Sequence, residues 1–118
     1  MQSEAFSIED RDEGSRHTLL LRGELDIASA PALEGAFQQL CQSDARELVL
    51  DLGELAFMDS TGLNAILKCR TLAAEHRCDL GILPGPRPVQ RVFELTHVLE
   101  RLPFRDPGET QPAWPKAS

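Results

Sequence analysis

The stretch Phe57–Leu63, with the sequence FMDSTGL, decides the fold of this chain. An apolar run at 48–52, LVLDL, precedes it and predicts a buried strand, while an amphipathic pattern from about Thr61 to His76 predicts a helix after it. The stretch therefore contains a turn from a strand into a helix, where backbone N–H groups lack partners and the helix dipole is positive. Such a place suits an anion. We therefore expect Ser60 to cap the helix and to be able to carry a phosphate.

Hydrophobic periodicity outward from this stretch predicts strands and helices in alternation. Apolar residues spaced along one helical face from Leu33 predict a helix with Ser29 as its N-cap and an end near Gln42. Shorter patterns predict the other elements: an edge strand at 4–9, a charged hairpin turn at 10–15, a central strand at 18–22, a strand at 78–83, a helix opened by Pro88, and a short turn or strand at 99–104. This order indicates an α/β fold with a mixed sheet and with helices packed mainly on one face.

The predicted topology brings two polar loops together. Right-handed crossovers between parallel strands place the loops that follow those strands at the same edge of the sheet. GELD at 23–26 ends the central strand, so the loop at Asp26 and the loop that contains Asp59 and Ser60 should be neighbours. We expect Asp26 to lie close to Ser60.

The charge of the chain argues against several kinds of partner. The 118 residues carry a formal net charge of −7 with an ordinary 42% of hydrophobic residues. Nucleic acids and anionic membrane surfaces are bound through clustered basic residues, so neither is an expected partner. No apolar run approaches the roughly 20 residues of a membrane helix, and the N-terminus lacks the features of a signal peptide. We expect a cytoplasmic protein.

The length predicts one domain, which we place at residues 1–104. From Pro103 onward the chain has four of its eight prolines, so we expect a poorly ordered tail at 105–118. The three cysteines, Cys41, Cys69 and Cys78, form no C-x-x-C pair. We therefore expect buried, reduced thiols rather than a disulfide or a zinc site.

GELD at 23–26, the helix start APAL at 30–33 and FMDSTGL at 57–63 together resemble the STAS-domain family, and more narrowly the bacterial anti-sigma-factor antagonists. The similarity covers about residues 4–104 and implies a STAS-like single domain with a mixed sheet of four to five strands. Asn64 departs from the family, which typically has a small residue at that position. The proline-rich end also departs from it, because members often finish with a helix.

The resemblance implies a protein that binds an anti-sigma factor with serine kinase activity and so releases a sigma factor. The kinase would phosphorylate the serine that matches Ser60 and end binding, and a protein phosphatase would restore it. The phosphate would block the interface directly, without refolding the domain. No catalytic residue, cofactor or metal is implied. The implied partner-binding residues surround that serine: Glu24, Asp26, Met58, Asp59, Ser60, Thr61, Gly62, Leu63 and Asn64.

Purely structural roles would also account for several of these residues. Ser60 could act only as a helix N-cap that accepts from the N–H of Leu63, and Thr61 could be the phosphoacceptor instead. The residues around them could have the following roles: Asp59 as the cap itself, Gly62 as a point of close approach by a partner or a strand, Asp26 as a turn residue, and Phe57 and Met58 as core or rim.

An enzyme is a weaker interpretation, because a nucleophilic Ser60 needs a base within hydrogen-bond reach. None of the three histidines is well placed for this: His17, His76 and His97. A magnesium site built from Asp26, Asp51 and Asp59 is also disfavoured, since Asp51 belongs to an apolar strand. The main competing hypothesis is a STAS accessory or scaffold subunit of a stress-signalling or transporter complex, with the same fold and another partner.

Overall fold

The structure is a computed structural model, and it describes residues 5–106. Four strands and three α-helices, followed by a single 3-10 turn, make up this part of the chain. In order they are β1 (Ser7–Glu13), β2 (Arg16–Leu25), α1 (Ala30–Cys41), β3 (Glu47–Met58), α2 (Ser60–Glu75), β4 (Asp79–Leu83), α3 (Arg87–Leu95) and the 3-10 helix Leu99–Arg101.

The strands form one mixed sheet in the order β1-β2-β3-β4. β1 is antiparallel to β2, whereas β2, β3 and β4 are parallel to one another. A hairpin can join antiparallel neighbours, but parallel neighbours need a crossover, and α1 and α2 provide the two crossovers. The α/β fold with a mixed sheet that the sequence predicts is therefore confirmed.

The core lies between one face of the sheet and the helices. Leu19 and Leu21 of β2 and Leu48 and Leu50 of β3 share a single apolar cluster with side chains of all three helices. The helical members with the most complete burial include Leu33, Phe37, Ile66, Val89 and Phe93. The helices thus pack on one face, as predicted.

Three strands extend further than their apolar runs indicate, and one of them is β2, which was predicted at 18–22 and spans Arg16–Leu25. The charged residues 10–13, which we assigned to a turn, belong to β1 and pair with β2, so that the turn consists of Gly14 and Ser15. An edge strand exposes most of its side chains, and charges are therefore tolerated there. β3 continues past the predicted end at 52, because residues 54–58 pair with the end of β2.

The last described residues lie against β4. Phe104 forms an isolated parallel bridge with Ile82, and the Arg105 N–H donates to the Ile82 carbonyl at 2.8 Å. The Arg105 guanidinium also pairs with Glu47 at 2.8 Å. Ordered contacts thus extend one residue past the predicted boundary at 104, whereas the rest of the predicted tail, from Pro107, lies outside the described residues.

Two further predictions concern the cysteines and membrane-spanning segments. Cys41, Cys69 and Cys78 are free and buried, so the expectation that they lie in the interior is confirmed. Among the helices of residues 5–106, none is sufficiently long and apolar to cross a bilayer.

Candidate functional site

The two polar loops lie side by side at one edge of the sheet. β2 and β3 are parallel neighbours, and their last residues, Leu25 and Met58, are paired. The Asp59 N–H donates to the Leu25 carbonyl oxygen at 3.4 Å, so the second loop begins in contact with the end of β2. The predicted juxtaposition of the Asp26 loop with the Asp59-Ser60 loop is confirmed.

Gly62 allows this close contact. A Cβ atom at Gly62 would collide with the Leu25 carbonyl oxygen and would lie 2.8 Å from Cγ of Met58. Contacts that short are not observed for real side chains, so only glycine fits without a shift of the backbone. Of the two interpretations of Gly62, the structure therefore shows close approach by the neighbouring strand.

Asp59, not Ser60, is the N-cap of α2. Its backbone is extended, and its Oδ1 accepts hydrogen bonds from the N–H groups of Thr61 and Gly62 at 3.0 Å each. The N–H of Leu63 donates to the backbone oxygen of Asp59 at 3.0 Å. The prediction that Ser60 caps the helix is wrong, because the carboxylate one residue earlier already occupies the capping position.

Ser60 is the first residue of α2, and it is exposed. Thr61 is half-buried, which makes it the less accessible of the two hydroxyl-bearing residues. Asn64 is exposed one turn after Ser60, and residues four apart on a helix share a face. Ser60 and Asn64 therefore present one polar, accessible side of α2.

The Asp26 loop is fixed by its own hydrogen bonds. Asp26 Oδ1 accepts from the N–H of Ala28 at 3.0 Å and from the N–H of Ser29 at 3.3 Å. The buried Ser29 hydroxyl accepts from the Asp26 N–H at 2.9 Å and donates to the Glu24 carbonyl at 2.7 Å. Asp26 thus shapes the turn, as one interpretation held, and remains half-buried beside Glu24.

Three residues that we assigned to the partner-binding set belong to the core. Met58 and Leu63 are only 2% and 4% exposed, and Gly62 is buried beneath Leu25. Met58 and Leu63 belong to the apolar core cluster and Gly62 lies against Leu25, so none of the three presents a side chain to a partner. The assignment of Met58, Gly62 and Leu63 as residues that touch a partner is corrected accordingly.

Two exposed apolar side chains at this edge were not among the predicted partner-binding residues, although Phe57 was considered as core or rim. Ile27, in the loop after β2, is 75% exposed, and Phe57, at the end of β3, is 45% exposed. Adjacent strand residues point to opposite faces, so burial of Met58 predicts the exposure of Phe57. For Ile27 the available signal was an isolated apolar residue inside a polar turn.

These results define one surface at the carboxyl ends of β2 and β3. It combines exposed apolar groups, carboxylates and one exposed hydroxyl. We call it the Ser60 surface, and its members are Glu24, Asp26, Ile27, Phe57, Asp59, Ser60, Thr61 and Asn64.

Two of the histidines, and Asp51 from the disfavoured magnesium site, have hydrogen-bond contacts of their own. His17 Nδ1 lies 2.9 Å from Asp10 Oδ1, and His76 Nδ1 lies 3.0 Å from the Leu72 carbonyl at the far end of α2. Asp51 Oδ1 accepts from the Gly53 N–H at 2.9 Å. Within residues 5–106, no group of three or more histidine, cysteine or acidic side chains has a geometry suited to a metal ion.

Comparisons with known proteins connect this geometry with characterised relatives. The anti-sigma-B factor antagonist of Staphylococcus aureus is 25% identical over 106 residues, which cover 90% of this chain and 98% of the relative. An anti-sigma factor antagonist from Mycobacterium paratuberculosis has a similar fold, with a TM-score of 0.75, 24% identity and coverage of 87% of this chain and 86% of that one.

A third similar structure is the Bacillus cell fate determinant SpoIIAA in its phosphorylated form. It matches with a TM-score of 0.65 and 21% identity over 89% of this chain and 95% of that one. A family model described as "Mlab, STAS domain" matches residues 8–102, which is most of the sequence. The chain therefore belongs to the STAS-domain family.

Proposed function

We propose that this chain is an anti-sigma-factor antagonist that is switched off by phosphorylation of Ser60. In its unmodified form it binds an anti-sigma factor with serine kinase activity, and the sigma factor is released. Phosphorylation by that kinase ends the interaction, and a protein phosphatase restores it. The protein acts by binding and not by catalysis.

The observation that carries the proposal is the exposure of Ser60 at the start of α2, inside a surface with exposed apolar groups. An exposed hydroxyl is accessible to a kinase. Ile27 in the loop after β2 and Phe57 at the end of β3 supply the kind of apolar side chains that anchor protein interfaces. The relatives named as anti-sigma factor antagonists, and the phosphorylated form of SpoIIAA, support the same role.

Phosphate acts on this surface through charge. A phosphoserine adds about −1.5 to −2 charges and three acceptor oxygens. Asp59 and Asp26 already make the neighbourhood negative, so a partner that covers Ser60 would have to desolvate a concentrated negative charge. Each loss of about 1.4 kcal/mol weakens binding tenfold. The core beneath Ser60 is packed without the hydroxyl, so a block of binding needs no refolding.

The test is incubation of the protein with a candidate anti-sigma factor and ATP, followed by mass spectrometry of the phosphorylated peptide. We expect one phosphate, on Ser60. Ser60→Ala should abolish the modification, whereas Thr61→Ala, as the matched control, should keep it. Phosphate that persists in Ser60→Ala would place the acceptor elsewhere and contradict the proposal.

A binding experiment separates charge from shape. Ser60→Asp and Ser60→Asn have similar size, but only Asp adds a negative charge. We expect Ser60→Asp to weaken binding to the anti-sigma factor by tenfold or more relative to Ser60→Asn. Equal affinities would show that charge at this position does not control the interaction. A protein that binds no anti-sigma factor would instead favour the accessory or scaffold role.

A further inference from the structure

Three N–H groups in the first turn of α2, those of Thr61, Gly62 and Leu63, are already occupied. The N–H groups of Thr61 and Gly62 both donate to Oδ1 of Asp59 at 3.0 Å, and the N–H of Leu63 donates to the backbone oxygen of Asp59 at 3.0 Å. The N–H of Asp59 itself points to Leu25 O at 3.4 Å. Phosphates bind at helix N-termini because these groups are normally free there. At α2, a carboxylate takes the place that a phosphate would otherwise fill.

We infer that Asp59 is a positioning residue that keeps the phosphate of modified Ser60 out of the α2 N-terminus and directs it to the solvent. This inference rests on the proposed phosphorylation of Ser60. The carboxylate acts in two ways: it occupies the N–H groups of Thr61 and Gly62, and its negative charge repels a second anion near the positive end of the helix dipole.

The surrounding charges leave the phosphate exposed in this arrangement. Glu24 and Asp26 on the adjacent loop are acidic, as is Asp59. On the exposed side of α2, Lys68 is two turns away and pairs with Glu34 of α1 at 3.4 Å. The added charge is therefore presented outward, toward a partner or a phosphatase, and is not neutralised within the domain. Asp59 thus turns a potential phosphate-binding helix end into a site where phosphate remains an exposed negative charge.

The test uses the full chain with phosphoserine installed at position 60 by genetic incorporation, so that no kinase is needed. Phosphorus and amide NMR spectra are recorded across the second ionisation of the phosphate, whose pKa is about 6 in free phosphoserine. Three proteins are compared: the wild-type phosphoprotein and its Asp59→Asn and Asp59→Gly variants. Asn retains an oxygen for the cap without the charge, while Gly is tolerated at an N-cap but offers no oxygen.

We expect the phosphate pKa to be highest in the wild type, lower in Asp59→Asn and lowest in Asp59→Gly. Loss of the charge accounts for the first step, and access to the freed N–H groups accounts for the second. The Thr61 and Gly62 amide protons should follow the phosphate titration only in Asp59→Gly. If these amides follow it in the wild type, or if Asn and Gly give the same phosphate pKa, the inference is overturned.

The outcomes of this titration can be distinguished from those of the experiments on the proposed function. The phosphoprotein is made without the kinase, so a failure to find kinase modification of Ser60 leaves the titration result unchanged. Conversely, a phosphate that enters the helix N-terminus overturns the role of Asp59 but does not touch the binding experiments with the anti-sigma factor.

Discussion

The carbonyl oxygen of Leu25 lies against the α-carbon of Gly62, at the place where any other residue would carry its Cβ. This contact joins the end of β2 to the first turn of α2. It sets the distance between the Asp26 loop and Ser60, and it explains why a glycine occurs inside an otherwise ordinary helix start.

Replacement of Gly62 by alanine should therefore destabilise the domain. The new methyl group would collide with Leu25 and Met58, and overpacking of this kind costs about 1–3 kcal/mol. Gly35→Ala in α1 is the matched control, because a Cβ there meets nothing within 4 Å. Alanine has the higher helix propensity, so this variant should be more stable than the wild type by roughly 0.5–1 kcal/mol. Urea denaturation measures both changes, and equal effects would contradict the close approach.

Loss of the exposed apolar groups should weaken partner binding without loss of stability. Ile27→Ala and Phe57→Ala each remove a side chain that is open to solvent at the Ser60 surface. We expect roughly a tenfold or greater loss of affinity for the anti-sigma factor in each variant. Leu95→Ala is the control, because Leu95 is 65% exposed but lies at the end of α3. Calorimetric affinities that are equal for all three variants would contradict the assigned surface.

The ion pair between Arg105 and Glu47 should contribute more to the free energy of unfolding than a more exposed ion pair does. Arg105 covers Gly81 and bonds to Glu47 at 2.8 Å, with 24% and 12% of the two side chains exposed. Arg11 and Glu9 lie 3.3 Å apart, with 52% and 46% exposed. Arg105→Ala should lower the free energy of unfolding by about 1 kcal/mol, whereas Arg11→Ala should change it little. The same urea series compares the two, and the reverse order would be contrary to this assignment.

The buried thiols should make the domain less stable in alkali. Burial, with a smaller contribution from Cys78, raises the pKa of the Cys41 thiol from 9.0 to about 11, and burial raises the pKa of Cys69 further. The folded state keeps the thiol proton at pH values where the unfolded state has lost it. The contribution of this thiol to the free energy of unfolding is therefore fully present below pH 9 and is lost as the pH rises toward 11. Cys41→Ala should show a smaller fall in urea midpoint over this range. An identical fall in both proteins would exclude Cys41 as a source.

Local pattern was sufficient for much of the fold. The helical spacing from Leu33 and the apolar runs in β2 and β3 depend on neighbours close in the chain, so their elements and their shared cluster follow directly. The end of β3 did not follow, because pairing of residues 54–58 depends on the end of β2, about 30 residues earlier in the chain.

The candidate site, too, was predicted in part from the sequence and decided in part only by the tertiary structure. Sequence alone identified the strand-to-helix turn, the two neighbouring loops and Ser60 as the candidate phosphoacceptor, because these depend on local pattern, on chain order and on the family resemblance. Only the tertiary structure decided which residues of that turn are accessible: it buries Met58, Gly62 and Leu63, exposes Ile27 and Phe57, and makes Asp59 the cap. Burial and capping are decided by competition between side chains for the same space and the same N–H groups, and that competition is settled only when β2, β3 and α2 are packed together.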